Sequence, residues 1–224
     1  MKNIIFIAPP AAGKGTISAK VCTEYNIPHI STGDLLREEV NKKTALGLEI
    51  KKLIDEGCLV SDEVITELLT NRLQQADCNN GFILDGYPRN INQAHIYEDI
   101  LKKLGIKLGD VIFLDIDLET ALNRIKGRLI CPKCGASYNL NVKELTPQKE
   151  NICDKCSNIL SKREDDNEET FSKRFDIYLE TTNPLIEYYK SKKVLKTIKI
   201  DSTTTAKETF ESIKKILVGK NDSN

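Results

Sequence analysis

The sequence has no excess charge of either sign, since thirty-three basic residues balance thirty-three acidic ones across 224 residues. Such a chain sets up no overall field to attract nucleic acid or an anionic membrane, so any anion it binds must be held by local arrangement. No apolar run approaches the roughly 20 residues needed to cross a bilayer. Met1-Lys2-Asn3 leads into only Ile4-Ile5-Phe6-Ile7, too short for a signal peptide, and the cytoplasm is the expected compartment. Repeats and low-complexity segments are also lacking. Histidine is scarce. His29 and His95 stand neither among metal ligands nor beside a nucleophile, and both read as structural. With no nucleophile and base paired, a covalent intermediate is not expected.

Cysteine is plentiful but odd in number, seven in all, which argues against a disulfide framework in a chain with no export signal. Cys131-Pro132-Lys133-Cys134 and Cys153-Asp154-Lys155-Cys156 form two Cys-x-x-Cys knuckles eighteen residues apart, and Gly135 after the first suits a tight turn. The spacing predicts a structural Zn2+ held by four thiolates, a filled tetrahedron with no open position for catalysis. Redox disulfides are the alternative. A nucleic-acid-binding ribbon is another, resting on Lys133, Lys143, Lys149, Lys155 and Lys162. Glu144, Glu150, Asp154, Asp165 and Asp166 offset those lysines, however, and only Tyr138 offers an aromatic platform. Cys22, Cys58 and Cys78 lack partners at metal spacing and read as small hydrophobes.

Ile4–Ile7, Phe82–Leu84 and Val111–Leu114 are short apolar runs without alternation, as in strands buried on both faces. Ile27–Ile30 and Val194–Ile200 are further strand candidates, despite Pro28 and the interior lysines Lys196 and Lys199. Helical patterns lie between, such as Ile65, Leu68, Leu69 and Leu73 entered through Ser61, and Phe210, Ile213 and Leu217 near the end, before a polar tail from Lys220. The alternation predicts an α/β fold with a parallel sheet. Two stretches break the rhythm. Residues 31–60 read as a small helical insert. Residues 127–166 carry four cysteines, Pro132 and Pro147 but few core-sized apolar runs, so they need a staple other than a hydrophobic core.

Ile4–Ile7 runs into Ala8-Pro9-Pro10-Ala11-Ala12-Gly13-Lys14-Gly15-Thr16, and a helical pattern through Ile17 and Val21 follows. Strand, loop and helix in this order make a phosphate-binding context. The helix N-terminus presents unpaired N–H groups, and Lys14 can neutralise β and γ phosphates. Thr16 can contact magnesium or a phosphate. Taken alone, the loop also reads as an ordinary strand-to-helix turn. Asp85, closing the Phe82–Leu84 strand, either caps a turn or holds Mg2+ through water at the sheet edge where ligands bind in α/β folds.

Asp85-Gly86-Tyr87-Pro88-Arg89, with Gln93 beyond it, closely resembles a motif of the adenylate kinase family. Gly13-Lys14-Gly15-Thr16 and Ser31-Thr32-Gly33-Asp34-Leu35-Leu36-Arg37 resemble two more, in their proper order. The resemblance continues through Arg124 to Arg128, Arg163 to Asp166, Arg174 and Pro184-Leu185-Ile186, over nearly the whole chain. It implies a P-loop nucleoside-triphosphate-hydrolase-like core with a five-stranded parallel sheet in residues 1–30, 61–126 and 167–224. A helical monophosphate-binding insert at 31–60 and a zinc-ribbon lid at 127–166 complete it. The implied reaction moves the γ-phosphoryl of Mg-ATP to AMP, giving two ADP, by direct in-line transfer in a monomer.

By this resemblance Lys14, Arg89, Arg128, Arg163 and Arg174 are catalytic. Ala11, Ala12, Gly13, Lys14, Gly15, Thr16, Arg124, Arg128, Ser137 and Tyr138 bind ATP. Thr32, Arg37, Cys58, Leu59, Val60, Gly86, Arg89, Gln93, Arg163 and Arg174 bind AMP, and Asp85 holds Mg2+ through water. Arginine suits such a site, because its planar fork makes bidentate bonds to phosphate and stays charged. The family loop has glycine where this chain has Ala8 and Ala11, so a left-handed backbone at either would cost on the order of 1 kcal/mol. Thr32 favours AMP, and Gln93 would read its base; for each, an ordinary surface or capping role is the alternative. UMP or CMP as acceptor and GTP as donor stay open within the family. A nucleotide-dependent zinc-ribbon binding protein without turnover is the alternative outside it.

Overall fold

The computed structural model describes residues 2–55, 60–162 and 166–218. Its elements alternate as the apolar runs predict. Strand β1 (Lys2–Ile7) leads to α1 (Lys14–Tyr25), β2 (His29–Ser31), α2 (Thr32–Asn41), α3 (Ala45–Asp55), α4 (Asp62–Leu73) and β3 (Gly81–Asp85). Then come α5 (Ile91–Leu104), β4 (Asp110–Ile116), α6 (Leu118–Gly127), β5 (Arg128–Ile130), β6 (Ser137–Asn139), α7 (Glu168–Ile177), α8 (Pro184–Ser191), β7 (Leu195–Ile200) and α9 (Ala206–Val218). None of the described helices is long and apolar enough to cross a membrane.

Five strands form a parallel sheet in the order β2-β3-β1-β4-β7. The strands without alternation, β1, β3 and β4, are its interior. The two irregular candidates are its edges. An edge tolerates what an interior strand cannot, so β2 begins only after Pro28, and β7 turns Lys196 and Lys199 to solvent while burying Ile198 and Ile200. Register fixes where the strands end: Phe6 pairs with Asp85, and Ser31 pairs with Asp85 from the other side. The carboxyl ends of β1, β2 and β3 therefore come together.

Contacts divide the chain into two compact units. The first is Met1–Ile7, Ser18–Ile112 and Thr181–Lys196, and the second is Ala8–Ile17, Phe113–Glu180 and Thr197–Asn224. In the first, Ile4, Ile5, Phe82, Ile83 and Leu84 are almost fully buried with Leu69, Leu73, Ala94, Tyr97 and Tyr189 from the helices. In the second, Leu114, Ala121, Ile125, Phe171, Ile213 and Leu217 are buried likewise. Each leucine, isoleucine or phenylalanine among them contributes about 1.5–3 kcal/mol through burial.

The helix starts follow capping chemistry. Ser31, Ser61, Asn90, Asp117 and Asn167 sit at N-caps, and each side chain accepts a hydrogen bond from a backbone N–H in the first turn. Residues 127–162 form a small separate core of Leu129, Cys131, Tyr138, Cys153 and Leu160, with Ala136 and Cys156 packed against it. Three of these seven side chains are cysteines of the two knuckles, so the predicted staple forms much of the core itself.

Candidate functional site

In the second unit the loop from Ala8 to Gly13 bends into α1 through two left-handed residues, Ala11 at φ 64° and Gly13 at φ 90°. Ala8 does not adopt that conformation. The strain expected of an alanine thus falls on Ala11 alone. Lys14 folds back over the loop, its Nζ donating to the Ala8 carbonyl at 3.3 Å. Thr16 lies half-buried in the first turn of α1, and a Cβ at Gly15 would have open space around it.

Arg124, on α6, is tied to the same loop. Its Nη1 donates to the Ala12 carbonyl at 3.4 Å and its Nη2 to the carbonyls of Asp201 and Thr204 at 3.5 and 3.3 Å. The turn carrying those carbonyls is held by Asp201 Oδ1, which accepts from the amides and hydroxyls of Thr203 and Thr204. These hydrogen bonds hold the Asp201 carboxyl down at about 2.

Arg128 begins β5 and makes a bidentate pair with Asp166, whose side chain is fully buried. Arg174 is exposed on α7, and the acids beside it have other partners, Glu168 with Lys126 and Glu169 with Lys173. Arg163, Cys58 and Leu59 lie outside the described residues. Val60 is half-buried just before α4, and Ser137 is exposed on β6.

The two knuckles fold alike. Cys131 N donates to Ala136 O and Gly135 N to Cys131 O; in parallel, Cys153 N donates to Asn158 O and Ser157 N to Cys153 O. Gly135 and Ser157, at matching positions, both have positive φ. The four Sγ atoms lie within 4.8 Å of one another, with Cys131 to Cys156 at 3.4 Å and Cys134 to Cys153 at 3.5 Å. A disulfide requires about 2.05 Å, whereas thiolates about 2.3 Å from a tetrahedral zinc stand roughly 3.8 Å apart. The cluster is a metal-sized site of four soft ligands.

Tyr138 joins that cluster from inside the lid core. Its hydroxyl accepts from Asp154 N at 2.8 Å and lies 3.4 Å from Cys153 Sγ. Burial raises the Cys153 thiol, but the Tyr138 hydroxyl and the amides of Lys155 and Cys156 outweigh it and hold the group at about 6. Cys22 and Cys78 stand apart from this site, and burial pushes the Cys22 thiol up to about 11.

The first unit holds a second constellation. Thr32 opens α2, and its Oγ1 donates to the Gly86 carbonyl at 3.3 Å; Arg89 Nε donates to the same carbonyl at 2.8 Å. Gly86 needs to be glycine on two counts, with φ at 79° and a Cβ that would meet Thr32 Oγ1 at 3.2 Å. Gln93 is buried, its Oε1 accepting from Arg89 N and its Nε2 donating to Asp62 Oδ1, each at 2.8 Å. Arg37 is exposed and paired with Asp34 one helical turn away. Thr32 also lines a shallow, partly open depression together with Leu35, Leu36, Ile65 and Leu68.

Asp85 closes β3, and its Oδ2 lies 3.3 Å from Nε2 of His29, on the neighbouring strand. The structure therefore brings Thr32, Gly86, Arg89 and Gln93 together in one unit, and Lys14, Ala12 and Arg124 in the other. Three partners carry no role in the sequence reading: His29 beside Asp85, Asp62 beside Gln93 and Asp166 beside Arg128. Asp62 is legible only as a first-turn acid of a helix. No spacing rule links it to Gln93 thirty-one residues later.

The adenylate kinase family model matches residues 6–194. The adenylate kinase of Clostridium tetani is 44% identical over 96% of this chain and 98% of its own. That of Fervidobacterium nodosum is 45% identical over 97% and 98%, and that of Caldicellulosiruptor saccharolyticus 48% over 87% and 90%. These matches show that the chain belongs to the adenylate kinase family.

Proposed function

We propose that the chain transfers the γ-phosphoryl group of Mg-ATP to AMP, reversibly, giving two ADP. An AMP phosphate oxygen forms the new bond to Pγ as the bond from Pγ to the ADP bridging oxygen breaks, with no covalent intermediate. Such a reaction asks a protein for positioning and charge neutralisation more than for covalent chemistry. Lys14 and the amides of Ala11 to Thr16 hold the β and γ phosphates, and Arg124 stacks on the ATP adenine. Arg128, Arg163 and Arg174 neutralise charge on the transferring group. Ser137 and Tyr138 border ATP through β6, while the Tyr138 hydroxyl is engaged inside the lid.

Thr32 and Gln93 face the AMP base. Arg37 and Arg89 hold its phosphate, and Cys58, Leu59, Val60 and Gly86 line its site. Residues 31–60 act as the monophosphate insert and 127–166 as the lid on a core of 1–30, 61–126 and 167–224. Cys131, Cys134, Cys153 and Cys156 hold structural Zn2+, which the distances among their sulfurs suit. Asp85, a hard oxygen donor at the end of β3, holds Mg2+ through water. When bound, the ion would shield charge on the phosphates. The cytoplasm is the proposed compartment.

The observation that carries the reading is the Gly86 carbonyl, where the hydroxyl of Thr32 and the guanidinium of Arg89 converge while the Arg89 amide donates to Gln93. Mg-ATP supplied with AMP, UMP or CMP in turn tests it, with ADP formation followed. AMP should be the preferred acceptor. A preference for UMP or CMP would overturn the assignment of Thr32 and Gln93, and ATP binding without ADP from any acceptor would favour a binding protein.

A further inference from the structure

Gln93 occupies the third position of α5, three residues after the N-cap Asn90, whose Oδ1 accepts from Gln93 N at 2.9 Å. In a capping box the side chain at that position turns back to the start of the helix. Here it turns back one residue further, to the amide of Arg89. That amide can only donate, so Oε1 must face it. On the other side Nε2 meets Asp62 Oδ1 at 2.8 Å, and Asp62 Oδ2 accepts from Asn92 Nδ2 at 3.1 Å. A carboxylate can only accept, so Nε2 must face it. Both neighbours impose the same orientation on the amide of a residue that is only 8% exposed.

Once these bonds are made, Oε1 keeps one lone pair and Nε2 keeps one hydrogen. Adenine offers a donor at its 6-amino group and an acceptor at N1, matching that pair in order. Hypoxanthine offers the reverse, an acceptor at O6 and a donor at N1. A glutamine free to flip would serve either base. One clamped at both ends serves only the first. We infer that Asp62 is a positioning residue for specificity: together with the Arg89 amide it locks the polarity of the Gln93 amide, so that the site accepts 6-amino purine monophosphates and rejects 6-oxo ones. This rests on Gln93 facing the base of the monophosphate, as proposed above.

The test measures kcat/KM for AMP and for IMP, with Mg-ATP as donor. The proteins are the unaltered enzyme, Asp62→Ala, Asp62→Asn, Gln93→Ala and the double variant Asp62→Ala/Gln93→Ala. Asp62→Ala removes one of the two restraints while the Arg89 amide still favours Oε1, and should lower the AMP-to-IMP ratio by about three- to tenfold, through KM more than kcat. Asp62→Asn keeps one acceptor oxygen for Gln93 while losing the charge that favours a helix N-terminus, and should restore most of the ratio. In the Gln93→Ala background Asp62→Ala should change the ratio no further. If Gln93→Ala shifts the ratio but Asp62→Ala leaves it within twofold, the inference on Asp62 fails while the base-reading role of Gln93 stands. If Gln93→Ala itself leaves the ratio unchanged, that reading fails and the inference with it. Equal loss of ratio in Asp62→Asn and Asp62→Ala would assign the effect to charge and contradict an amide clamp.

Discussion

At Ala11 the backbone is left-handed, with φ at 64°, and at Ala8 it is not. A left-handed alanine is strained by about 1–2 kcal/mol, and glycine there relieves the strain while gaining about 0.4–1 kcal/mol of unfolded-state freedom. Ala11→Gly should therefore hold stability or raise it by up to about 1 kcal/mol. Ala8→Gly has no strain to relieve and should cost about 0.5–1 kcal/mol. Chemical denaturation of the two variants checks this. Changes of the same sign and size would contradict the assignment of strain to Ala11. The family resemblance implies that both alanines stand where glycine is usual, but not which one bears the strain, because φ follows from the path between Ile7 and Lys14.

Arg128 is a second case at the same scale. Its guanidinium is oriented by a bidentate pair with the buried carboxylate of Asp166. Removing one partner of such a pair leaves the other misplaced. Asp166→Ala should lower kcat by about tenfold or more with little change in the KM for AMP, in steady-state kinetics. An unchanged kcat would show that Arg128 needs no such support. The motif around Asp166 is visible in the sequence, whereas the thirty-eight-residue reach back to Arg128 is not.

Among the elements, the lid shows most directly how composition became structure. Residues 127–162 lack the apolar content for an ordinary core, and the two knuckles supply it together with a four-cysteine cluster that could hold a metal. Tyr138 turns its hydroxyl to Cys153 and accepts from Asp154 N, so it braces one knuckle from inside. Outer-shell partners of this kind commonly change metal affinity by about 10–100-fold. Tyr138→Phe should release zinc to a chelating dye about tenfold faster than the unaltered protein. An unchanged release rate would remove Tyr138 from the metal site.

Stripping the metal from the unaltered protein should abolish amide protection across residues 128–162, because a site of this kind ties metal binding to folding. Hydrogen exchange reads this directly. Full protection without metal would mean that Leu129, Tyr138 and Leu160 suffice by themselves. The edge strands were the less legible elements. Pro28 and the lysines of β7 blur a strand signal that the buried β1, β3 and β4 give plainly, for the physical reason that only an edge can carry them.

For the molecule as a whole, alternation of apolar runs was enough to reveal the parallel sheet, and two departures from it marked the inserts. The site was legible where a motif is contiguous, as from Asp85 to Arg89, and where spacing is diagnostic, as in the knuckles. It was illegible where support comes from afar. Asp62, Asp166 and His29 meet their partners only through the fold, and each looks ordinary in its own stretch of sequence.

The claim on which the rest depends is phosphoryl transfer between two nucleotides, and phosphorus NMR of Mg-ATP mixed with AMP tests it most directly. The unaltered protein should consume ATP and AMP one for one, with two ADP formed and no inorganic phosphate. Lys14→Met should fold normally yet slow this by at least about 100-fold. Release of inorganic phosphate in place of ADP, or turnover that survives Lys14→Met, would contradict the account.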